Sequence, residues 1–363
     1  MTARILVASH DAGGATALEP VVARLRKRAT VEVWAHPLSA PALGGADRIT
    51  ERLGPREASE VVRDFHPDLL LTGTSWGGTT IDKQMTAAAR GAGVASLGIL
   101  DSWIHYRERF TLETDGLGPL LHLPDRLAVM DNEANAEMIA LGFPVDRLAV
   151  IGLTRLAALP EPGDPAAERA QLADAYGIDP NAVWIHFISQ AISALTGGHA
   201  GARKALGYSA ADARSGITNA VPAIAARLGR ATVLILRFHP REDARTAPAD
   251  AVIDCEDSAL AFIRTADAVI GMSGGNLLDA YALARPTISF QPNACGRDGC
   301  ILSQRGLIER VTLERELPDR LAEALAAPMP HNSSFSRADG LEAAEAAAQL
   351  ALSMAAKATH AAA

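Results

Sequence analysis

Short apolar runs rich in Val, Ile and Leu alternate along this chain with longer segments whose apolar residues recur at helical spacing. Such runs are typical of strands buried on both faces, as in parallel sheets whose strands are joined by helices. The sequence therefore predicts an α/β protein built from repeated strand and helix units. Strand candidates of the first half are 4–9, 31–36, 68–74, 94–100, 126–131 and 147–152, and helix candidates include Ala15–Arg28, Thr79–Gly91 and Asn132–Leu141.

The alternation is interrupted near residues 153–168, where three prolines and a glycine stand among acids. This composition indicates a linker or the entry of a helix. The pattern then resumes, and the segment 195–215 is predicted to be a loop leading into a helix that ends near Arg230. Strand candidates of the second half are 182–190, 232–240, 252–255, 267–273 and 286–291.

A chain of 363 residues exceeds the usual size of a single core. We therefore expect two tandem Rossmann-like domains with a cleft between them. The expected domains are residues 1–155 and residues 165–335, followed by a C-terminal helix over 336–363 whose Ala-rich tail frays.

The formal net charge of −8 and the absence of a long basic run argue against a nucleic-acid or anionic-membrane surface. No apolar run approaches the roughly 20 residues that span a bilayer, and the first residues lack a signal-peptide pattern. We therefore expect a cytoplasmic protein. The three cysteines, Cys255, Cys295 and Cys300, fit reduced thiols, and their spacing does not favour a zinc site.

Open parallel sheets bind ligands beyond the carboxyl ends of their strands, so the loops after strands hold the candidate site residues. The first such loop carries His10, Asp11, Gly13 and Gly14. Glycines permit close approach of the backbone to a ligand, and the next helix start offers free N–H groups. His10 is a candidate general base that Asp11 could orient. The alternative is that His10 stabilises the turn and Asp11 caps the helix.

The loop 71–80 places Thr74, Ser75 and Trp76 after a buried strand. Its hydroxyls and glycines suit the binding of polar groups. A helix N-cap with a glycine-rich turn is an equally good interpretation. With Gly13 and Gly14, these residues are our first candidates for binding an acceptor.

After the next strand, Asp101 and His105 stand among Trp103, Tyr106 and Arg109. Aromatic residues make up only 4% of the chain, so this local concentration is notable. Aromatic faces pack on sugar or base rings and Arg binds anions, which predicts an acceptor-binding wall. A domain-interface cluster is the alternative. Asp101 is the second candidate base, and His105 is a further catalytic candidate.

In the second half, Ser189 and Gln190 follow the first strand, where a loop could hydrogen-bond phosphate oxygens. The next strand delivers Arg237, His239 and Arg241 at alternate positions, so these side chains can share one face. Two guanidinium groups flanking an imidazole suit a phosphate or pyrophosphate. The alternative is a solvated basic strand end with salt bridges to neighbouring acids.

The most informative loop is Ser273, Gly274 and Gly275, which follows a buried strand and precedes a helix beginning at about Asn276. Free N–H groups at a helix start attract a diphosphate. Asp279, in the first turn of this helix, could accept two hydrogen bonds from a ribose diol. The segment therefore predicts a cradle for a nucleoside diphosphate.

These segments resemble glycosyltransferases of the GT-B fold and the related UDP-N-acetylglucosamine 2-epimerases. The stretch "SGGNLLDA" resembles their serine-glycine-glycine loop, and the resemblance puts their ribose-binding acid at Asp279. The stretch "RFHPRE" resembles the His-Pro motif of bacterial capsule transferases that use CMP- or CDP-linked donors, which implies that His239 contacts donor phosphate. The stretches "HDAGGA" and "LDSWIHYRERF" resemble segments of uncharacterised polysaccharide-biosynthesis proteins.

The chain departs from the epimerase pattern at three places. Met272 stands where the epimerases have an acid, Asp279 stands where they have Glu, and their N-terminal Gly-Thr-Arg-Pro signature is absent. The departures favour group transfer over epimerisation.

We therefore expect a glycosyltransferase-like enzyme that transfers a sugar from a nucleotide-linked donor, held by the second domain, to a small-molecule or glycan acceptor held by the first. UDP is the favoured nucleotide, with CDP or CMP as alternatives. No cofactor and no metal are expected, and a homodimer is one option for the assembly. The rival readings are a hydrolysing epimerase and a non-catalytic nucleotide-sugar binding protein.

Overall fold

A computed structural model of the chain describes residues 2–113, 116–161, 163–239, 241–248, 251–256, 258–327 and 335–361. The chain divides into two compact units. The first unit comprises Met1–Leu159 and Ser334–Ala363, and the second comprises Pro160–Ser333.

The first unit contains a parallel sheet, in which each apolar run of the sequence forms a strand. The strands are β1 (Arg4–Ser9), β2 (Thr30–Ala35), β3 (Arg48–Ile49), β4 (Leu69–Thr72), β5 (Ala95–Ile99), β6 (Arg126–Val129) and β7 (Leu148–Val150). Their order across the sheet is β3-β2-β1-β4-β5-β6-β7. Helices α1 (Ala12–Leu25), α2 (Pro55–Phe65), α3 (Ile81–Gly91) and α4 (Asn132–Ala140) connect them. The carboxyl ends of β1, β4 and β5 are therefore neighbours at one edge of the sheet.

The second unit repeats this plan with a second parallel sheet. Its strands are β8 (Val183–Ile188), β9 (Thr232–Arg237), β10 (Val252–Ile253), β11 (Ala268–Gly271), β12 (Thr287–Phe290) and β13 (Glu309–Val311), in the order β10-β9-β8-β11-β12-β13. Its helices are α5 (Pro165–Tyr176), α6 (Ile192–Leu195), α7 (His199–Leu206), α8 (Ala210–Leu228), α9 (Leu260–Thr265), α10 (Asn276–Ala282), α11 (Ile301–Gln304) and α12 (Leu317–Ala326). The strand order places the loops after β8, β9 and β11 side by side.

The C-terminal helix α13 (Arg337–Ala361) returns to the first unit. Successive residues of a strand face opposite sides of the sheet. Accordingly, Ile5 and Val7 pack into an apolar cluster with α1 and α13, whereas Leu6 and Ala8 pack into another with α2 and α3. Burial of both faces explains why the strands read as continuous apolar runs.

The prediction of a loop over residues 195–215 is wrong. Most of this segment is helical, since it contains α7 and the first turns of α8. Gly197 and Gly198 adopt positive φ angles of 78° and 93° and separate α6 from α7. Ser209 then starts α8 through a capping box with Asp212. The glycines of this segment therefore separate α6 from α7 and do not form a long loop.

Among the described residues, no helix is both long enough and apolar enough to cross a membrane.

The packing of α13 on the first unit yields a prediction about stability. Gly340 lies in α13, and a Cβ at this position would overlap the backbone of Leu156 and Ala157 and lie 2.7 Å from the Leu156 Cβ. We expect Gly340→Ala to lower the free energy of unfolding by about 1–3 kcal/mol, the usual effect of overpacking. Urea-induced unfolding followed by circular dichroism measures this change.

Gly91→Ala is the matched control, because nothing lies within 4 Å of a Cβ at Gly91, which is also helical. This control should be neutral or stabilise the protein by up to about 1 kcal/mol. Wild-type stability in Gly340→Ala would show that α13 does not pack against residues 156–157.

Candidate functional site

Polar side chains from three loops converge at the carboxyl edge of the first sheet. Asp11 follows β1 and begins α1, since its Oδ1 accepts the Gly14 N–H at 2.7 Å. The Asp11 backbone is extended, with φ −107° and ψ 163°, as is usual for a helix N-cap. Burial and, to a smaller extent, the nearby charge of Asp101 raise the pKa of Asp11 to about 6. Asp11 therefore both caps the start of α1 and carries a carboxyl group with a raised pKa.

Asp101, which follows β5, is held by a buried ion pair. Its Oδ1 accepts a hydrogen bond from Arg109 Nη1 at 2.6 Å, and the two side chains are only 11% and 4% exposed. Arg109 Nη1 also donates to the Thr74 carbonyl at 2.5 Å, and Nε donates to the Ile104 carbonyl at 3.1 Å. Arg109 thus ties the loops after β4 and β5 together and fixes the orientation of the Asp101 carboxylate.

Gly13 is required by this arrangement. A Cβ on Gly13 would lie 2.6 Å from Asp101 Oδ2 and 3.8 Å from Asp11 Oδ1. Any side chain here would therefore collide with the Asp101 carboxylate. Both carboxylates border the space beside Gly13, and Oδ2 is the Asp101 oxygen that faces it. We call Asp11, Gly13, Asp101 and Arg109 the carboxylate site.

His10 lies next to Asp11 in the sequence, and its side chain is a neutral ring rather than a carboxylate. Its Nδ1 accepts the Ile81 N–H at 3.5 Å, and its ring lies 4.3 Å from the His36 ring. Burial lowers the pKa of His10, so the imidazole is neutral near pH 7. Since Nδ1 is an acceptor, the proton is on Nε2, which makes Nε2 a donor. His10 therefore presents a donor at Nε2, whereas the Asp101 carboxylate presents an acceptor at Oδ2.

The loop 72–80 is held mainly by Asp82, a residue that the motif search did not single out. Asp82 Oδ2 accepts the Ser75 N–H at 2.7 Å, and its Oδ1 accepts the Thr80 hydroxyl. The Ser75 Oγ is buried and has no hydrogen-bond partner among the described residues. Thr74 Oγ1 accepts from Arg109 at 3.2 Å. Of these hydroxyls, that of Thr74 contacts the carboxylate site, through Arg109.

Lys83, also absent from the sequence candidates, anchors the loop that carries Arg109. The residue is 2% exposed, and its Nζ donates to the carbonyls of Gly78, Glu108 and Thr111 at 3.0, 3.2 and 2.8 Å. Burial lowers the pKa of Lys83, although the nearby Asp82 charge opposes that effect. Three carbonyl acceptors satisfy all of the ammonium donors and hold the two loops at a fixed separation.

The aromatic residues of this region divide into two groups. Trp76 is 40% exposed and stacks on His105, with ring centroids 4.4 Å apart and an interplanar angle of 9°. His105 has a positive φ of 57°, which is uncommon for a residue with a side chain. Trp103 and Tyr106, in contrast, are buried and donate to Asp131 and Glu137, both at 2.7 Å. The exposed platform is therefore Trp76 and His105, and Trp103 and Tyr106 pack the loop against α4.

In the second unit, the predicted phosphate loop is joined to the loop after β8. Gln190 Oε1 accepts the Ser273 N–H at 2.7 Å and the Ser273 hydroxyl at 3.2 Å. A Cβ on Gly274 would lie 3.2 Å from Gln190 Cδ, so glycine permits this close packing. The structure thus brings Gln190 together with Ser273, Gly274 and Gly275.

Three further donor-binding candidates lie close to these loops: Ser189 follows β8, and Asn276 and Asp279 lie in α10, after β11. Asn276 begins α10, and Asp279 within it is buried. The Ser189 Oγ is buried and lacks a hydrogen-bond partner among the described residues.

Arg237 binds Asp254, a partner that the sequence analysis did not identify. Arg237 Nη1 donates to Asp254 Oδ2 at 2.9 Å and to the Glu256 carbonyl at 2.9 Å. The same Asp254 oxygen lies 3.0 Å from Nε2 of the fully buried His186. Burial lowers the pKa of His186, so its neutral ring donates from Nε2. Arg237 therefore stabilises a buried polar cluster with Asp254 and His186 and does not extend as a free cation.

His239 is held by hydrogen bonds to its own loop. Its Nδ1 accepts the Arg241 N–H at 3.1 Å, and its backbone N–H donates to Glu242 Oε2 at 3.0 Å. Burial lowers the pKa of His239, which leaves the ring neutral with its proton on Nε2. Pro240, the last residue of the strand candidate 232–240, lies outside the described residues.

Within the described part of the chain, no group of three or more His, Cys, Asp or Glu side chains is arranged to hold a metal ion.

The residues that sequence reasoning missed are His36, Asp82, Lys83, His186 and Asp254. All but Asp82 act through partners distant in the sequence, so spacing alone gave no signal for them, whereas Asp82 bonds to the nearby Ser75 and Thr80. The sequence offered one clue to Asp82 and Lys83: they are charged residues in the first turn of α3, beside its apolar face.

The fold is similar to solved structures of known enzymes. A UDP-GlcNAc 2-epimerase from Methanocaldococcus jannaschii, in complex with UDP-GlcNAc and UDP, matches with a TM-score of 0.66 and 14% identity, over 93% of this chain and 97% of that chain. A UDP-GlcNAc 2-epimerase from Neisseria meningitidis bound to UDP-GlcNAc matches with a TM-score of 0.64 and 15% identity, over 98% and 100%. The glycotransferase of kitacinnamycin matches with a TM-score of 0.56 and 17% identity, over 98% and 99%.

No protein-family model and no curated protein matches the chain. The structural likeness defines the fold: two Rossmann-like α/β domains of the GT-B type. The resemblance stated from the sequence is thereby confirmed at the level of the fold.

The raised pKa of Asp11 predicts a pH-dependent stability. Between about pH 4 and pH 6 the folded protein binds more protons at Asp11 than the unfolded chain does, so stability from this group is greatest below pH 4 and falls as the pH rises through 6. Asp11→Asn keeps a capping acceptor but does not titrate. We expect the free energy of unfolding of the wild type, minus that of Asp11→Asn, to fall by about 2–3 kcal/mol between pH 4 and pH 7.

Urea unfolding of both proteins across this range provides the measurement. A difference that stays constant or grows with pH would contradict the assignment of a raised pKa to Asp11.

Proposed function

We propose that this protein transfers a sugar from a nucleotide-activated donor to an acceptor, with Asp101 as the general base. The observation that carries the proposal is the carboxylate site. Arg109 holds one Asp101 oxygen, Oδ1, and the other, Oδ2, lies against Gly13. An oriented, largely buried carboxylate is suited to accept a proton from a hydroxyl group.

The second unit supplies the groups that would bind the donor. Ser273, Gly274 and Gly275 form the loop that resembles the phosphate loop of GT-B enzymes, and His239 presents a neutral imidazole whose Nε2 can donate. Asp279 is the acid that the resemblance assigns to the ribose. Structural neighbours that were solved with UDP-GlcNAc or UDP support a nucleotide sugar as the ligand class.

In the proposed reaction, Asp101 Oδ2 accepts the proton of the acceptor hydroxyl while the acceptor oxygen forms a bond to the anomeric carbon of the sugar. The bond between that carbon and the diphosphate oxygen breaks, and the diphosphate leaves with the electron pair. Backbone N–H groups of Gly274 and Gly275, together with His239 Nε2, would stabilise the negative charge of the leaving group, since the Ser273 donors are bonded to Gln190. Each such preorganised donor contributes roughly 3 kcal/mol to transition-state stabilisation.

The exposed stack of Trp76 on His105 favours transfer to a separate acceptor. An exposed indole face packs well on a sugar or another ring. This platform follows β4 and β5, at the same sheet edge as Asp101. Trp76 is therefore the residue to which we assign acceptor binding.

Epimerisation is the second candidate, because Asp11 has a raised pKa beside Asp101. Asp11, with its raised pKa, could serve as the acid and Asp101 as the base, and an elimination and re-addition at a sugar requires such a pair of groups. The structural neighbours also include several UDP-GlcNAc 2-epimerases. Incubation with UDP-GlcNAc alone separates the two: an epimerase gives free UDP and the 2-epimeric sugar, whereas a transferase gives no 2-epimer.

Asp101→Asn tests the assignment of the base. The variant keeps the size and hydrogen-bonding capacity of the side chain but cannot take the proton. We expect turnover of the sugar nucleotide to fall by roughly 10²- to 10⁴-fold, the contribution of a positioned base. The affinity for the nucleotide, measured by calorimetry, should not change.

Asp146→Asn is the control, because Asp146 is exposed and lies outside the carboxylate site. Nucleotides are first screened by thermal shift against UDP, CDP, CMP, GDP and dTDP, since a ligand that binds only the folded protein raises its melting temperature. Full turnover in Asp101→Asn would exclude Asp101 as the base. Failure of all five nucleotides to stabilise the wild type would contradict the proposed donor class.

A further inference from the structure

The second unit contains a cavity of about 530 Å³ that no step of the proposed reaction has used. It lies between the loop after β8, the exposed face of α8 and the segment 241–248 after β9. A volume of this size is within the range of small-molecule sites. All of its described lining belongs to one unit of the chain.

One side of the cavity is rigidly built around Arg214. Its guanidinium donates to Glu242 Oε1 and to the Thr246 hydroxyl, both at 3.2 Å, and lies 4.6 Å from the centre of the Phe238 ring. Only 10% of the Arg214 side chain is exposed. The positions of Arg214 and Glu242 are therefore set before any ligand binds.

The charges of the lining balance. Arg214 and Arg241 are offset by Glu242 and Asp243, so the cavity does not concentrate positive charge as a phosphate site would. No Phe, Tyr or Trp is among its described lining residues, and His199 is the one aromatic side chain among them, so a nucleobase would find little aromatic surface to stack on. The chemistry of the cavity therefore disfavours both a phosphate and a base.

What remains on the walls is a mixture of hydroxyl, amide and paired charged groups. Ser215, Thr218 and Asn219 contribute from successive turns of α8, opposite Glu242. Such groups donate and accept hydrogen bonds in equal measure. A compact, neutral ligand with many hydroxyl groups matches this lining.

Gln190 connects this cavity with the proposed phosphate loop. Its side-chain oxygen binds the N–H and hydroxyl of Ser273, and the same residue lines the cavity. A group attached to a diphosphate at the Ser273 loop would therefore meet the cavity entrance at Gln190. This continuity points to the sugar of the donor rather than to a separate acceptor.

We propose that the cavity between Gln190, α8 and residues 241–248 binds the sugar ring of the donor nucleotide. This inference rests on the proposed function, because it takes the diphosphate to lie at the Ser273 loop. The cavity then selects the sugar, while the Ser273 loop and His239 hold the nucleotide.

The test blocks the cavity without disturbing the nucleotide groups. Ser215 is exposed on α8 and lines the cavity, so Ser215→Trp fills the cavity from its solvent side. Ala226→Trp is the matched control, since Ala226 is exposed on the same helix and is not part of the lining. Calorimetry measures the affinities of the wild type and both variants for UDP, UDP-GlcNAc and UDP-glucose.

We expect the wild type to bind at least one of the two sugar nucleotides more tightly than UDP. Ser215→Trp should abolish that advantage and weaken sugar-nucleotide binding at least tenfold, while its affinity for UDP stays unchanged. Ala226→Trp should behave as the wild type. Asn219→Ala, which removes an amide without filling the cavity, should weaken sugar-nucleotide binding by a smaller factor.

Three results would overturn the inference. Equal sugar-nucleotide affinity in Ser215→Trp and Ala226→Trp, with normal UDP binding, would show that the sugar lies elsewhere and leave the proposed function intact. Sugar nucleotides that never bind more tightly than UDP would show that the cavity adds no sugar affinity. Absence of UDP binding by the wild type would contradict the proposed function and, with it, this inference.

Discussion

The buried ion pair between Asp101 and Arg109 is the interaction on which the first unit's site depends. A buried carboxylate is tolerated only when a partner and additional hydrogen bonds compensate for its lost hydration. Arg109 meets this requirement by donating to Asp101 and also to backbone and hydroxyl oxygens of two loops. Consequently the pair orients one carboxylate and joins the segments that follow β4 and β5.

The other parts of the site follow from that constraint. Gly13 must lack a side chain because the Asp101 carboxylate occupies the adjoining space. Asp11 acquires its raised pKa because it is buried and faces a second negative charge. Lys83 holds the Arg109 loop by its backbone carbonyls, so a further buried charge supports the pair of Asp101 and Arg109. The site is therefore a network of buried polar groups, in which the loss of one partner leaves another uncompensated.

Much of the fold was predictable from the sequence. Strands buried on both faces must be apolar throughout, which is why runs such as 4–9 and 126–131 identified strands to within a few residues. The positions of site loops followed from the geometry of parallel sheets. The helices within 195–215 were not predictable from composition, because two glycines there separate α6 from α7 and the Ser209 cap starts α8.

The pairing of site residues could not be predicted from one sequence. Arg237 and His239 share a strand end, yet Arg237 binds Asp254 from a neighbouring strand while His239 turns to Glu242. Trp103 and Tyr106 stand beside Asp101 in the sequence but pack against α4, and the exposed ring comes from Trp76 on another loop. Sequence spacing identifies which loops meet, whereas tertiary packing decides which side chains of those loops face one another.

The most direct test is a ¹³C NMR titration of the aspartate carboxyl groups in the folded protein. If Asp11 and Asp101 border one space, one carboxyl should titrate with a midpoint near pH 6, and its signal should disappear in Asp11→Asn. Its midpoint should also move to lower pH in Asp101→Asn, because the neighbouring negative charge has been removed. A midpoint that does not respond to Asp101→Asn, or the absence of any aspartate titrating above about pH 5, would contradict the proposed carboxylate site.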